Sequence, residues 1–238
     1  MKKIFLWSIW VIYVGYLLLS DLPPGPSLLH IDGATIQEVF DLSLNFWFVT
    51  PALFPATAPV LHPALEGIFN IVVAWGLLFW GFLIDRRGQR LPMVPFLVGT
   101  AFLTNVFYLP WLALRESQTE VSVERLSAME RMGEGRSLPL FLTGVVLASL
   151  GWGMFARPEF GDLAARWEGL LEIVGSDRLA HSFAVDMLVF WWFQSWLVGD
   201  DMKRRGWEDG FSLWVARLVP FFGLAIYFSR RPALELED

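Results

Sequence analysis

Cysteine is absent from this chain, which excludes a disulfide framework, a thiolate nucleophile and any cysteine-based metal or iron–sulfur centre. Histidine is nearly as scarce. His30, His62 and His181 are the three present, too few and too scattered for a histidine metal cluster, so no metal site is expected. Charged residues make up only 18% of the chain, against about 25% in a soluble globular domain. There is no basic excess either: the formal net charge is −6, which leaves a nucleic-acid partner without the basic face it would need. The sequence also lacks a P-loop, a Gly-rich dinucleotide fingerprint, a His-Glu-x-x-His pair and a Gly-x-Ser-x-Gly elbow. It shows no internal repeat and no low-complexity tract.

What the chain does have is apolar mass gathered into long runs. Hydrophobic residues are 55% and aromatics 16% of it, with 13 Trp and 21 Phe, a composition suited to lipid and its headgroup layer. Six runs, 4–19, 63–84, 91–114, 138–156, 179–198 and 211–229, approach the roughly 17–25 residues a span needs. The expected fold is therefore all-α: a polytopic bundle of about six spans in a single membrane domain, 1–238. Lys2 and Lys3 precede the first run as in a signal peptide, but Ser20-Asp21-Leu22-Pro23-Pro24 is a poor cleavage site, so a retained anchor is expected. The segment 35–55 contains Glu38, Asp41 and Asn45 and is expected to lie at the interface rather than to cross. Six spans place ten Lys and Arg on the side of the termini and seven on the other. That small excess favours cytoplasmic or stromal termini.

Two amphipathic pieces fall between spans. Phe160, Leu163, Ala164, Trp167, Leu170, Leu171 and Val174 follow helical spacing, with Asp162, Arg166, Glu168 and Glu172 off the stripe. This predicts a helix lying on the membrane, with Trp167 at the headgroups. Around 118–132, alternating charges predict a short extramembrane helix.

Few polar residues fall where chemistry is plausible. Asp186 and Arg217 lie inside the fifth and sixth runs, and intramembrane charges are expensive enough to seek a partner. Their depths differ by about 6 Å on antiparallel helices, so a structural ion pair is expected. Glu38 and Asp41 share a helix face, and Glu66 and Asn70 open the second run. Two carboxylates of separated pKa suit acid–base work or protonation of an olefin; they equally suit a wet interface rim or an acidic first helical turn. His181 opens the fifth run with Asp177 four residues before it. That arrangement fits a tetrapyrrole ligand with a carboxylate behind it, or a structural pair at an interface.

The run Pro59-Val60-Leu61-His62-Pro63-Ala64-Leu65-Glu66-Gly67-Ile68-Phe69-Asn70, leading through Trp75-Gly76 to Asp85, resembles small multi-pass proteins of cyanobacteria and chloroplasts whose function is uncharacterised. Leu91-Pro92, Pro95, Tyr108-Leu109-Pro110, Arg115, Asp200-Asp201 and Arg204-Arg205-Gly206 add to the likeness. The stretch from His181 through Val185-Asp186 to Phe190 is also similar to a chloroplast protein required for neoxanthin formation. The resemblance implies a photosynthetic membrane, either thylakoid or bacterial inner membrane, and transfers no catalytic residue.

The expected function is that of an integral membrane accessory protein. It would bind a pigment–protein complex, a pigment or a lipid through aromatic faces, with no cofactor required by the sequence. The alternative is an intramembrane isomerase or cyclase acting on a carotenoid or other isoprenoid, a hydrophobic small molecule. Asp186, Glu66, Glu38 and Asp41 would then be its acids, in a dry aromatic cavity that stabilises carbocations.

Overall fold

The computed structural model describes residues 2–31, 33, 37, 46–47, 50, 53–54, 59–83, 91–115 and 126–233. All regular structure among them is helical, as the composition implied. In chain order the helices are α1 (Lys2–Val14, running on as the π-helix Gly15–Leu19), α2 (Pro63–Leu78, continued by the tight turn Phe79–Phe82) and α3 (Val94–Leu103). There follow α4 (Asn105–Leu114), α5 (Ala128–Glu134), α6 (Ser137–Phe155) and α7 (Leu163–Ser176). The last three are α8 (Arg178–Arg204), α9 (Gly210–Leu218) and α10 (Phe222–Arg230).

Local chemistry sets the helix starts. Pro63 opens α2, where its missing N–H would have had no helical partner anyway. Ser127 and Glu130 form a reciprocal capping box at α5. The Asp162, Asp177 and Asp209 carboxylates accept from backbone amides at the starts of α7, α8 and α9, which satisfies N–H groups the helix itself leaves unpaired.

Among the described residues two helices, Pro63–Phe82 and Ser137–Phe155, are long and apolar enough to cross a membrane, so the expected six spans are not all present, and two of the six runs are not single helices. The run 91–114 breaks at Thr104, whose φ is 43°, and α3 and α4 pack against each other. The run 211–229 breaks around Pro220 and Phe221, the latter at φ 53°, and α9 and α10 form an antiparallel hairpin. Its open end is closed by Arg230 on Asp209 at 3.0 Å. At its tip, Gly223 sits so close to the Val215 carbonyl that a Cβ would collide. Each half-helix is about 14–15 Å long, roughly half of a 30 Å hydrocarbon core.

Proline accounts for how the hairpins are held. Pro220 has no N–H for the Ala216 carbonyl four residues back, and the buried Gln194 amide donates to that carbonyl at 2.6 Å and to Val219 at 2.9 Å. Pro110 likewise deprives the Val106 carbonyl, which Trp10 Nε1 reaches at 3.0 Å. Backbone groups freed inside an apolar medium must find such partners.

The chain gathers into two compact units. The first consists of Met1–Trp10, Ala74–Gly144 and Met187–Asp238. An aromatic cluster fills it: Phe79 stacks on Tyr108 at 4.4 Å, and Phe190 meets Phe79, Tyr108 and Trp75 edge-on at 5.0–5.9 Å. The second consists of Val11–Val73 and Val145–Asp186. There α2 and α6 approach closely through glycine, since a Cβ on Gly67 would lie 2.8 Å from the Ser149 carbonyl oxygen. Small residues at such positions let two helix backbones approach this closely.

Candidate functional site

In the second unit, Glu66 is fully buried in the first turn of α2. Trp152 Nε1 donates to one carboxylate oxygen at 2.6 Å and Arg157 approaches the other at 3.3 Å. Asn70, one turn on, donates to the Glu66 and Phe46 carbonyls. Glu66 is thus an anchor joining α2 to α6 and its following turn. Asp186, also buried, accepts from the Tyr13 hydroxyl at 2.7 Å. The residue expected as its partner, Arg217, belongs to the first unit, lies over the Trp214 ring and makes no ion pair among the described residues. Glu38 and Asp41 lie outside the described residues, as does most of 35–55.

His181 is placed by hydrogen bonds, with Tyr16 Oη 3.0 Å from Nε2 and the Val174 carbonyl 3.3 Å from Nδ1. Asp177, which the spacing set behind its ring, instead caps α8 through the Ala180 N–H.

Helix α7 forms where the spacing predicted, but its buried side is different. Arg166, expected off the apolar stripe, is buried. Its guanidinium donates to the Gly153, Arg157 and Gly161 carbonyls at 2.8–3.2 Å, so it closes the C-terminal end of α6. Leu170 is buried beside it, while Leu163, Trp167 and Leu171 remain exposed. His62 meets Phe160 edge-on at 5.0 Å; burial, then the nearby Arg166 charge, pushes its pKa down. Between α2, α6 and α7 runs an apolar cavity of about 360 Å³ lined by Ile68, Ile71, Leu150, Met154 and Trp167 among others.

The first unit contains a charge network that the sequence did not reveal. Asp201 accepts from Arg205 Nε (3.0 Å), Arg231 (3.1 Å) and the Tyr227 hydroxyl (2.6 Å). Glu134 at the end of α5 accepts from Arg205 at 2.6 Å and Arg231 at 2.8 Å. Arg231 also donates to the Gly81 and Gly133 carbonyls and lies over Phe228. Beside this, Asp200 accepts from Arg115 (3.1 Å) and Arg204 (2.9 Å). The local sequence signal was Asp200-Asp201 one turn before Arg204-Arg205, two i,i+4 acid–base pairs on one helix.

Next to the network lies a cleft of about 720 Å³ between the end of α8 and the start of α9. Its lining includes Trp196, Asp200, Lys203, Trp207, Glu208 and Arg217. Two of its acids are already matched, Asp200 by Arg115 and Arg204 and Asp209 by Arg230.

No protein-family model matches the chain, and comparisons with curated proteins and with solved structures return no match. The acids singled out in the sequence, where described, are engaged in joining helices. Neither Glu66 nor Asp186 lines either of these cavities.

Proposed function

We propose that the protein is an integral membrane accessory protein that spans the bilayer with four helices, α1, α2, α6 and α8, and holds a lipid or a hydrophobic partner against its aromatic faces. The observation that supports this best is α6. It runs 19 residues without a charge, and only 22% of its apolar window is buried, whereas the comparable window of α2 is 72% buried. A core helix of a soluble protein would resemble α2. An apolar helix exposed along its length, with Leu140, Phe141, Leu147 and Phe155 outward, calls for lipid as solvent. The distribution of polarity agrees: Glu66, Asp186, Gln194, Arg166 and Arg231 are buried while Phe102, Leu188 and Trp192 are exposed, the reverse of an aqueous surface.

The four-helix reading treats α3–α4 and α9–α10 as hairpins that enter and return on one side. It puts fourteen Lys and Arg on the side of both termini and three, Arg157, Arg166 and Arg178, on the other, with Arg217 inside a hairpin. Ten against seven under six crossings is a weak bias; fourteen against three is the asymmetry that positive-inside insertion produces. Both termini are then cytoplasmic or stromal. The resemblance to cyanobacterial and chloroplast proteins leads us to propose a photosynthetic membrane and a pigment–protein complex as partner.

An isoprenoid isomerase or cyclase would need acids facing a substrate cavity, and Glu66 and Asp186 are instead committed to Trp152, Arg157 and Tyr13. Alkaline carbonate extraction of membranes from cells expressing the chain tests the membrane reading. The chain should stay with the pellet; release into the supernatant would overturn it.

A further inference from the structure

Six cations fall in the last 52 residues, Met187–Asp238, of the chain: Lys203, Arg204, Arg205, Arg217, Arg230 and Arg231. Four have carboxylate partners within 3.2 Å. The other two, Lys203 and Arg217, make no ion pair among the described residues, and both line the 720 Å³ cleft. Arg217 is the more demanding of the two. It sits on an otherwise apolar face of α9, exposed alongside Trp214 and Leu218, with only the Trp214 ring under its guanidinium at 5.0 Å. An exposed guanidinium at membrane depth is costly unless it reaches toward the headgroups and an anion meets it there.

We propose that this cleft binds the phosphodiester headgroup of an anionic membrane lipid, with Arg217 and Lys203 as its two cationic ligands. Charge and shape both favour this occupant. With Asp200 and Asp209 already neutralised, the uncommitted groups are Lys203, Arg217 and Glu208, which sum to +1 and so match a monoanionic phosphodiester. Glu208 supplies an acceptor for the hydroxyls of a glycerol-type headgroup. Trp196 and Leu213 give the cleft an apolar wall for the first carbons of the lipid, and Trp207, held against Tyr227 with ring centroids 6.0 Å apart, lines it as well. Under the topology above, the cleft opens on the side carrying the fourteen Lys and Arg, the leaflet face where anionic lipids concentrate. The inference rests on that membrane reading.

The full chain, purified in a neutral detergent, would be offered equal phosphatidylglycerol and phosphatidylcholine and examined by native mass spectrometry. One phosphatidylglycerol should be retained about thirtyfold over phosphatidylcholine, a preference of the size expected from two surface cations. The double change Lys203→Gln, Arg217→Gln should bring the two lipids to parity, while Arg131→Gln, an exposed cation elsewhere in the same unit, should leave the preference intact. Equal retention by the unaltered chain would overturn the proposal, and so would a preference that survives the double change. Displacement of the lipid by millimolar inorganic phosphate would identify a free-phosphate site and overturn the lipid assignment. A chain that stays in the carbonate pellet yet shows no lipid preference fails this inference alone.

Discussion

The two units use most of their buried arginines differently. In the first, Arg205 and Arg231 meet Asp201 and Glu134, and Arg115 and Arg204 meet Asp200, so buried guanidinium charge is cancelled by buried carboxylate. In the second, Arg178 donates to the Leu17, Ser20, Pro23 and Gly25 carbonyls at 2.7–3.3 Å. Arg166 there collects three further carbonyls. The stretches forming the first unit carry fifteen of the 18 Lys and Arg and thirteen of the 24 acids; the second has three and eleven. Their net charges are therefore +2 and −8. Where cations are plentiful they are neutralised in a network. Where they are few, Arg166 and Arg178 close a helix end and a loop whose carbonyls carry partial negative charge, and Arg157 alone meets a buried carboxylate, that of Glu66.

The largest effect should come from unbalancing the network. Arg231→Leu leaves Asp201 and Glu134 buried with less positive charge, and breaking a buried pair from one side costs about 3–5 kcal/mol. Arg178→Leu should cost less, about 1–2 kcal/mol, since several of its carbonyls can turn to water. Thermal unfolding in detergent would rank the two. Equal losses would mean that carboxylate partners do not distinguish the units.

The smallest effect is expected at His62. Its folded pKa is depressed by burial and by Arg166, so protonation opposes the folded arrangement, and its contribution is lost as pH falls below the unfolded value of 6.5. Quenching of Trp167 by acrylamide should rise modestly between pH 7 and 5.5, and His62→Gln should flatten that rise. An unchanged slope in the variant would remove His62 from the docking of α7.

Hydrophobic runs were enough to read the helical class, because an apolar run of this length has few other uses. The burial of Asp186 agrees with its place inside an apolar run, whereas Glu66, which suited a wet rim or an acidic first turn, is buried as well. The hairpins were not legible. Thr104 has a single turn residue beside it, Asn105, in an otherwise apolar run, Pro110 lies within α4 rather than at the break, and the apolar run continues through Pro220. Whether a run of 19–24 residues crosses once or turns back is decided by who satisfies the freed carbonyls, and here that falls to Trp10 and Gln194, distant in sequence. The same holds for the network: the two i,i+4 pairs on α8 are local, whereas Arg231 meets Glu134 across 97 positions. Arg166 was set off the apolar stripe because a charge on an amphipathic helix ordinarily faces water, and its role depends on the end of α6.

The number of crossings is the claim on which the rest depends, and the absence of cysteine makes it directly testable. Single cysteines at Leu22, Met132, Ser176 and Glu208 would each be reacted in sealed vesicles with a membrane-impermeant maleimide. Four crossings with two hairpins predict that Leu22→Cys and Ser176→Cys label from one face, and that Met132→Cys and Glu208→Cys label from the other. Six crossings would instead group positions 22, 132 and 208 on one face and leave 176 alone on the opposite one, and that pattern would contradict the account.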